Sequence, residues 1–493
     1  MKINKAISLL IISTLFFSTL GGVEMTELQK LMATKAIKNP AENNPAIIHK
    51  FSADPAVLVY NDTVYIYATN DAQQAEITKC KEDNAYNKIT NLNIFSSKDL
   101  VNWTDCGEIA VAGKQNPKGA AKWANNSWAP AICTKKINGK DKFFLYFADN
   151  GSGIGVLTAD SPTGPFTDPI GKQLVARSTP NCAKVYWLFD PAVFVDDDGT
   201  GYLYFGGGVD KDPAHPKSGR CVKLGDDMIS LAGTPEEIDA PWLFEDSGIN
   251  KIGNKYYYTY CSNWAERGDA KGPDVPPVAV IAYMTSDSPL GPFTYQGYTL
   301  QNPGTLFGAW GNNHHWIFQF KGKHYIAFHA QFVEKAMGIE KGGYRNICIT
   351  DFKVNEDGSL PMQPATKSGV RPVEKFNPYQ TIPAATFAAT ANAGVTSKQT
   401  LKAVTDTGYV CIKNADISKG AKEFVVTTAE GNKKGIVKIY KTSPAAVNLL
   451  GEIKTKGKGT FACKINLPAQ ADATADIYIQ LNTQSELESW ELK

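Results

Sequence analysis

Three carboxylic acids stand at the heads of like-patterned segments: Asp54 in FSADPAVLVYNDTVYIYATND, Asp190 in FDPAVFVDDDGTGYLYFGGG and Glu245 in FEDSGINKIGNKYYYTYCS. In each, the acid precedes an apolar run, a Gly/Asn/Asp turn and an aromatic-rich run. That is the pattern of two antiparallel strands with a carboxylate at the entrance of the first. Three such acids converging on one pit would raise one another's pKa. The chemistry that uses such a mixture is glycoside hydrolysis: one protonated acid assists the leaving oxygen, an ionised one activates water, and a third orients and tunes the acid. An Asp-Pro pair by itself can equally be a strand cap. Two DPAV heads and FEDSG in register favour the catalytic reading.

The elements that must position these acids form a repeat. Two more segments share the layout with other heads, Trp128-Ala129-Pro130 before AICTKKINGKDKFFLYFADN and Asn312-Asn313-His314-His315 before WIFQFKGKHYIAFHA. The five heads lie roughly 55 to 75 residues apart, a spacing that points to a repeat architecture. Further short strands and turns, FSSKDLVNW, LTADSPTGPF and MTSDSPLGPF, bring each unit to about four strands, enough for one propeller blade. Residues 45–365 therefore read as a five-bladed β-propeller, whose innermost strands would carry the head residues into the central mouth. Pro after a head residue suits a strand start. After residues 366–376 the strands GYVCIKNA, KEFVVTTAE, GIVKIYKT, TFACKINL and ADIYIQLN follow at shorter spacing. They predict a β-sandwich of the jelly-roll kind over 375–493. Both domains are all-β, preceded by a polar, Ala/Lys-rich linker with marginal helical character over 25–44.

His314 and His315 are neighbours, so on a strand they face opposite ways. One can line the mouth or hold a metal through water while the other packs or caps. The run Asp196-Asp197-Asp198-Gly199 resembles a calcium loop, but between two strands it reads as a solvated hairpin. A formal net charge of +2 with interspersed signs leaves no electrostatic footprint for nucleic acid or an anionic membrane. Nine scattered cysteines without a CxxC pair suggest buried small hydrophobes rather than a disulfide framework or zinc site. Lys2 and Lys5 before the apolar run Ala6–Leu20 and Gly21-Gly22 read as a signal peptide, residues 1–24. A secreted or periplasmic protein is expected.

The motifs around these heads make the resemblance specific. ADPAVLVYNDTVYIYATND, WLFDPAVFVDDDGTGYLYFGGG, APWLFEDSGINKIGNKYYYTYC and GNNHHWIFQFKGKHYIAFHA occur in the order found in glycoside hydrolase family 43. The chain resembles that family over about residues 45–365, in particular its arabinoxylan arabinofuranohydrolase branch. The resemblance implies a five-bladed propeller that removes α-L-arabinofuranosyl side chains from arabinoxylan with inversion and needs no cofactor for the chemistry. It implies Asp54 as general base, Glu245 as general acid, and Asp190 as the residue that raises the acid's pKa. It places Asn312, Trp128, His314 and Arg345 (in GGYRN) in substrate binding, and makes His314 the approach to a calcium at the propeller centre. Residues 375–493 are similar to a family 6 carbohydrate-binding module. Where such modules carry a Glu-Ala-Glu-like stretch that helps bind calcium, this chain has Pro383-Ala384-Ala385. The expectation is thus a monomeric, exported arabinofuranosidase. A β-xylosidase, endo-arabinanase or xylanase on the same fold, or a non-catalytic carbohydrate-binding propeller, are the alternatives.

Overall fold

A computed structural model describes residues 24–493; the signal-peptide reading falls almost wholly on residues 1–23 and lies outside them. Among the described residues, strands dominate and the longest helix, Glu27–Lys35 (α1), has nine residues. The chain is all-β.

Five sheets follow one another along the sequence. Their strands begin at Ala53–Tyr60, Trp128–Ile137, Ala192–Val195, Leu243–Ile252 and His315–Phe320, and each sheet adds its next strands antiparallel in chain order. Alternation explains the first hairpin: Asn61 and Asp62, both at positive φ, turn Ala53–Tyr60 into Thr63–Thr69, the geometry a two-residue hairpin requires. The first strands of successive sheets touch in cyclic order, first to second and onward until the fifth meets the first again. Each sheet buries one face against the sheet before it and the other against the sheet after it. Five hydrophobic clusters result, one per junction. Phe318 and Tyr325 of the fifth sheet meet Ile66 and Phe95 of the first, and Ile94 of the first meets Leu145 and Leu157 of the second. Trp316 packs against three of the clusters at once, near the ring's centre.

The C-terminal residues form two further antiparallel sheets that share one apolar core including Phe424, Val426, Ile439, Ile477, Ile479 and Trp490. This part is not a free appendage. Thr386–Phe387 pairs with the edge strand Trp103–Ala110 of the first sheet. Asn102 donates from Nδ2 to the carbonyl of Lys413 (2.9 Å) and accepts the Lys413 N–H at Oδ1 (2.9 Å). Ala384 and Ala385 are buried at this joint and contribute no carboxylate. The segment 25–44, read from sequence as a linker, contains α1. Thr26 and Gln29 form a capping box there, and Leu28, Met32 and Ala33 are buried. The carbonyl of Ala33 accepts the Asn392 N–H, so the helix is clamped to the C-terminal part. All nine cysteines are free, six of them buried.

The joint at Asn102 is testable by calorimetry. Asn102→Ala strands a buried donor and acceptor of Lys413, a loss of about 1–3 kcal/mol. The melting temperature should fall while activity at 25 °C is retained; an unchanged melting temperature would show that the joint contributes nothing.

Candidate active site

Local backbone geometry aims the acids. Asp54, Ala129, Asp190 and Asp246 open the first strands of four sheets with left-handed φ of 49°, 35°, 48° and 68°. Strand pairing slips at three of these points, between Ala53 and Ala56, Trp128 and Ala131, and Leu243 and Gly248. Three of the four heads are thus bulges, a device that turns a side chain away from the regular alternation. Aspartate tolerates this conformation better than most residues. The geometry also re-registers the repeat: the equivalent of Asp54 and Asp190 in the fourth sheet is Asp246, while Glu245 takes the place held by Trp128 and Phe189.

A cavity of about 900 Å³ opens at these bulges, and Asp54, Trp128, Asp190, Glu245, Asn312, His314 and Arg345 all line it. The three acids singled out from sequence are therefore gathered, each at least nine-tenths buried. His314 sits among them. Its Nδ1 is 3.5 Å from Asp54 Oδ1 and 3.7 Å from Asp190 Oδ2, and its Nε2 is 3.2 Å from Asp246 Oδ1. Burial opposes a proton on this ring, but Asp246, Asp54 and Asp190 outweigh it and raise its pKa. His315 faces the interior, where it binds Asp246 through Nδ1 and Thr259 through Nε2 (2.7 Å). Gly248 leaves room for this pair, since a Cβ there would lie 2.3 Å from Thr259 Oγ1.

Arg345 organises the other side. Nε and Nη2 grip Asp71 bidentately, each at 2.8 Å, and Nη1 donates to Asp54 Oδ1 at 2.8 Å. Asp71 opens the helix Asp71–Thr78 (α2), and its Oδ2 also accepts the Arg345 N–H. The Tyr86 ring lies 4.8 Å from the guanidinium, and the Tyr86 carbonyl accepts Trp128 Nε1–H at 2.9 Å. His329 accepts the Asp54 N–H at Nδ1 (3.1 Å) and reaches the Asn312 carbonyl through Nε2 (3.0 Å). That assigns the neutral Nε2–H tautomer, in keeping with burial lowering its pKa.

These surroundings push the acids apart. Burial disfavours the Asp54 anion, yet Arg345 first and His314 next outweigh burial and hold its pKa well below the usual carboxylate range. Glu245 has no such partner. Burial, then the negative charges of Asp190, Asp54 and Asp246, raise its pKa well above the ordinary value. Its Oε1 is buried without a hydrogen-bond partner. Asp190 is also raised, to about 7, by burial and by Asp54 and Asp246 against the pull of His314. At neutral pH the cavity offers one firmly ionised carboxylate and one protonated carboxylic acid.

The residues do not fit a calcium ion held through His314. Both ring nitrogens face carboxylates at 3.2–3.7 Å, and Ca²⁺ asks for six to eight oxygen ligands. Among the described residues no group of three or more His, Cys, Asp or Glu side chains is placed to hold a metal. The run Asp196-Asp197-Asp198 is a hairpin whose first two carboxylates bind Lys251 at 2.7 and 2.8 Å.

Asp71, Tyr86, Asp246 and His329 were not singled out from sequence. Asp246 had a signal, because it follows Glu245 and matches the residue before Pro in the other heads. Asp71 closes the opening motif, but its pairing with Arg345 spans 274 positions and leaves no local trace.

Comparison with known proteins agrees with this geometry. Residues 43–360 match the family of glycosyl hydrolases 43. An arabinoxylan arabinofuranohydrolase of Paenibacillus polymyxa is 46% identical over 440 residues, covering 86% of this chain and 68% of the relative. One from Bacillus subtilis (strain 168) is 46% identical over 417 residues, covering 80% of each. The crystal structure of a family 43 arabinoxylan arabinofuranohydrolase from Bacillus subtilis in complex with cellotetraose superposes with a TM-score of 0.86 at 41% identity. It covers 94% of this chain and 99% of that one. With a matching family over most of its length and a cavity built from paired buried carboxylates, the chain belongs to glycosyl hydrolase family 43 and is a glycoside hydrolase.

Proposed function

We propose that the protein is an inverting arabinoxylan arabinofuranohydrolase, removing α-L-arabinofuranosyl side chains from the xylan chain. The observation that carries this reading is the placement in one cavity of Asp54 against Arg345 and of Glu245 without an ion-pair partner, which drives their pKa values in opposite directions, together with 46% identity to two arabinoxylan arabinofuranohydrolases. The five sheets, with first strands in cyclic contact, support a five-bladed propeller over 45–365. The shared core of the last two sheets supports a separate β-sandwich over 375–493. The basic and apolar N-terminus supports export.

In this mechanism Asp54 takes a proton from water as the water oxygen attacks the anomeric carbon. Glu245 gives its proton to the glycosidic oxygen as that bond breaks, so one proton enters the site and one leaves. Arg345 keeps Asp54 ionised, and Asp71 holds Arg345 in place. Burial first, and then the negative charge of Asp190, Asp54 and Asp246, raises the Glu245 pKa. The aromatic walls Trp128 and Tyr86 give the sugar apolar faces to pack against. Inversion needs room for water between base and acid, a separation of about 6.5–9.5 Å.

An NMR time course on arabinoxylan should show β-L-arabinofuranose first, with the α anomer appearing only by mutarotation. Initial α product would replace inversion by retention. Glu245→Gln should lower kcat on arabinoxylan by roughly 10²–10⁴-fold, and far less on an aryl arabinofuranoside whose leaving group needs no proton. Equal losses on both substrates would remove Glu245 from the acid role.

The pH profile tests the Arg345 clamp. Asp54 must be ionised, and its pKa is depressed, so activity is lost only as pH falls through that low value. Asp71→Asn loosens Arg345 and the Asp54 pKa rises, so the acidic limb of kcat/KM should move up towards the ordinary carboxylate range. An unmoved limb would leave Asp71 a purely structural role.

A further inference from the structure

The loops between the second and third strands differ in length from sheet to sheet. Four are long, 70–90, 206–218, 263–280 and 331–345, and residues of the first, third and fourth of these line the cavity. The second sheet has only the turn 149–152 in that place, and Asn150, Gly151 and Ser152 line the cavity there. This turn is held firmly. Arg177 donates to the carbonyls of Val185, Gly151 and Tyr186, and Ser152 Oγ donates to the Asp149 carbonyl at 2.7 Å. Gly151 lies so close to Trp187 that a Cβ would sit 2.9 Å from Cδ1. Ser152 lines the catalytic cavity and also a second cleft of about 410 Å³, bounded by Trp123, Asn125, Lys114 and Lys172.

That outer cleft has unbalanced charge. Lys114 and Lys172 are exposed and, among the described residues, neither side chain has an ion-pair or hydrogen-bond partner. The acidic groups nearby are already engaged. Asp149 is buried and its Oδ1 accepts the N–H groups of Asn125 and Asn126, while Asp168 accepts Trp123 Nε1–H at 2.8 Å.

We propose that the polysaccharide chain leaves the catalytic cavity over the Asp149–Ser152 turn. The cleft beyond is then a subsite for a main-chain sugar bearing a uronic acid, its carboxylate received by Lys114 and Lys172. This rests on the arabinoxylan reading. A ligand continuous with the cleaved sugar must be part of the same polymer, and a carboxylate is the acidic group such a polymer carries. Two lysines on flexible stems suit a substituent that varies in position, since ammonium groups act as point charges without a fixed geometry.

The test compares two arabinoxylo-oligosaccharides that differ only in one uronic acid, native or reduced to the neutral hexose, with the full chain as enzyme. The wild type should cleave the acidic one with kcat/KM roughly three- to tenfold higher at low salt, and the advantage should fade as salt screens it. In the double variant Lys114→Gln, Lys172→Gln the ratio should fall to one while the rate on the neutral oligosaccharide stays. Equal rates in the wild type, or a ratio that survives in the double variant, would overturn the subsite and leave the arabinoxylan reading intact. No arabinose from either oligosaccharide would overturn that reading, and the subsite with it.

Discussion

Crowding like charges in a dry pit is the constraint that the rest of the molecule answers. Asp54, Asp190, Glu245 and Asp246 are buried at one end of the ring, with Asp71 just behind. Arg345 and His314 offset them. Arg345 ties Asp54 to Asp71, and His314 stands between Asp54, Asp190 and Asp246. Neither forms an ion pair with Glu245, so repulsion and desolvation act there with little opposition and keep a proton on it. Acid and base differ because a guanidinium stands beside one and not the other.

The ring architecture makes that asymmetry possible. Each sheet delivers its first strand to the centre, and in four of the five a left-handed residue stands at or near the strand's start. Five equivalent positions around a centre then receive unlike residues. Asp54, Asp190 and Asp246 sit at three, Ala129 at a fourth, and the fifth sheet contributes Asn312 and His314 just before its strand. The inner layer is supported by a second set of hydrogen bonds, His315 to Asp246 and His329 to the Asp54 backbone. Such support holds reacting groups in one geometry without reorganisation during the reaction.

The C-terminal sheets bear on the site only indirectly. They extend the outer edge of the first sheet and grip Asn102, on the sheet that carries Asp54 at its inner edge. The helix α1 packs against both parts, against α2 on one side and the C-terminal sheet on the other. Because α2 begins with Asp71, that contact also backs the Arg345 clamp.

Period-2 alternation, turn residues and head motifs are local signals, so the strands, the five repeats and the three acids were legible in the sequence, while Arg345 came only from the family resemblance. The sequence read 25–44 as a linker because a nine-residue helix with one buried stripe leaves a weak periodic trace. It aligned Glu245 with the other heads, whereas the backbone puts Asp246 in that place, because a bulge shifts register without changing the residue types around it. Only the tertiary structure decided which acid has its pKa raised, that His314 lies among carboxylates, and that Ser152 borders two clefts. Each of those depends on charges and loops brought together from distant parts of the chain, and a pairing such as Asp71 with Arg345 is written nowhere in the neighbours of either.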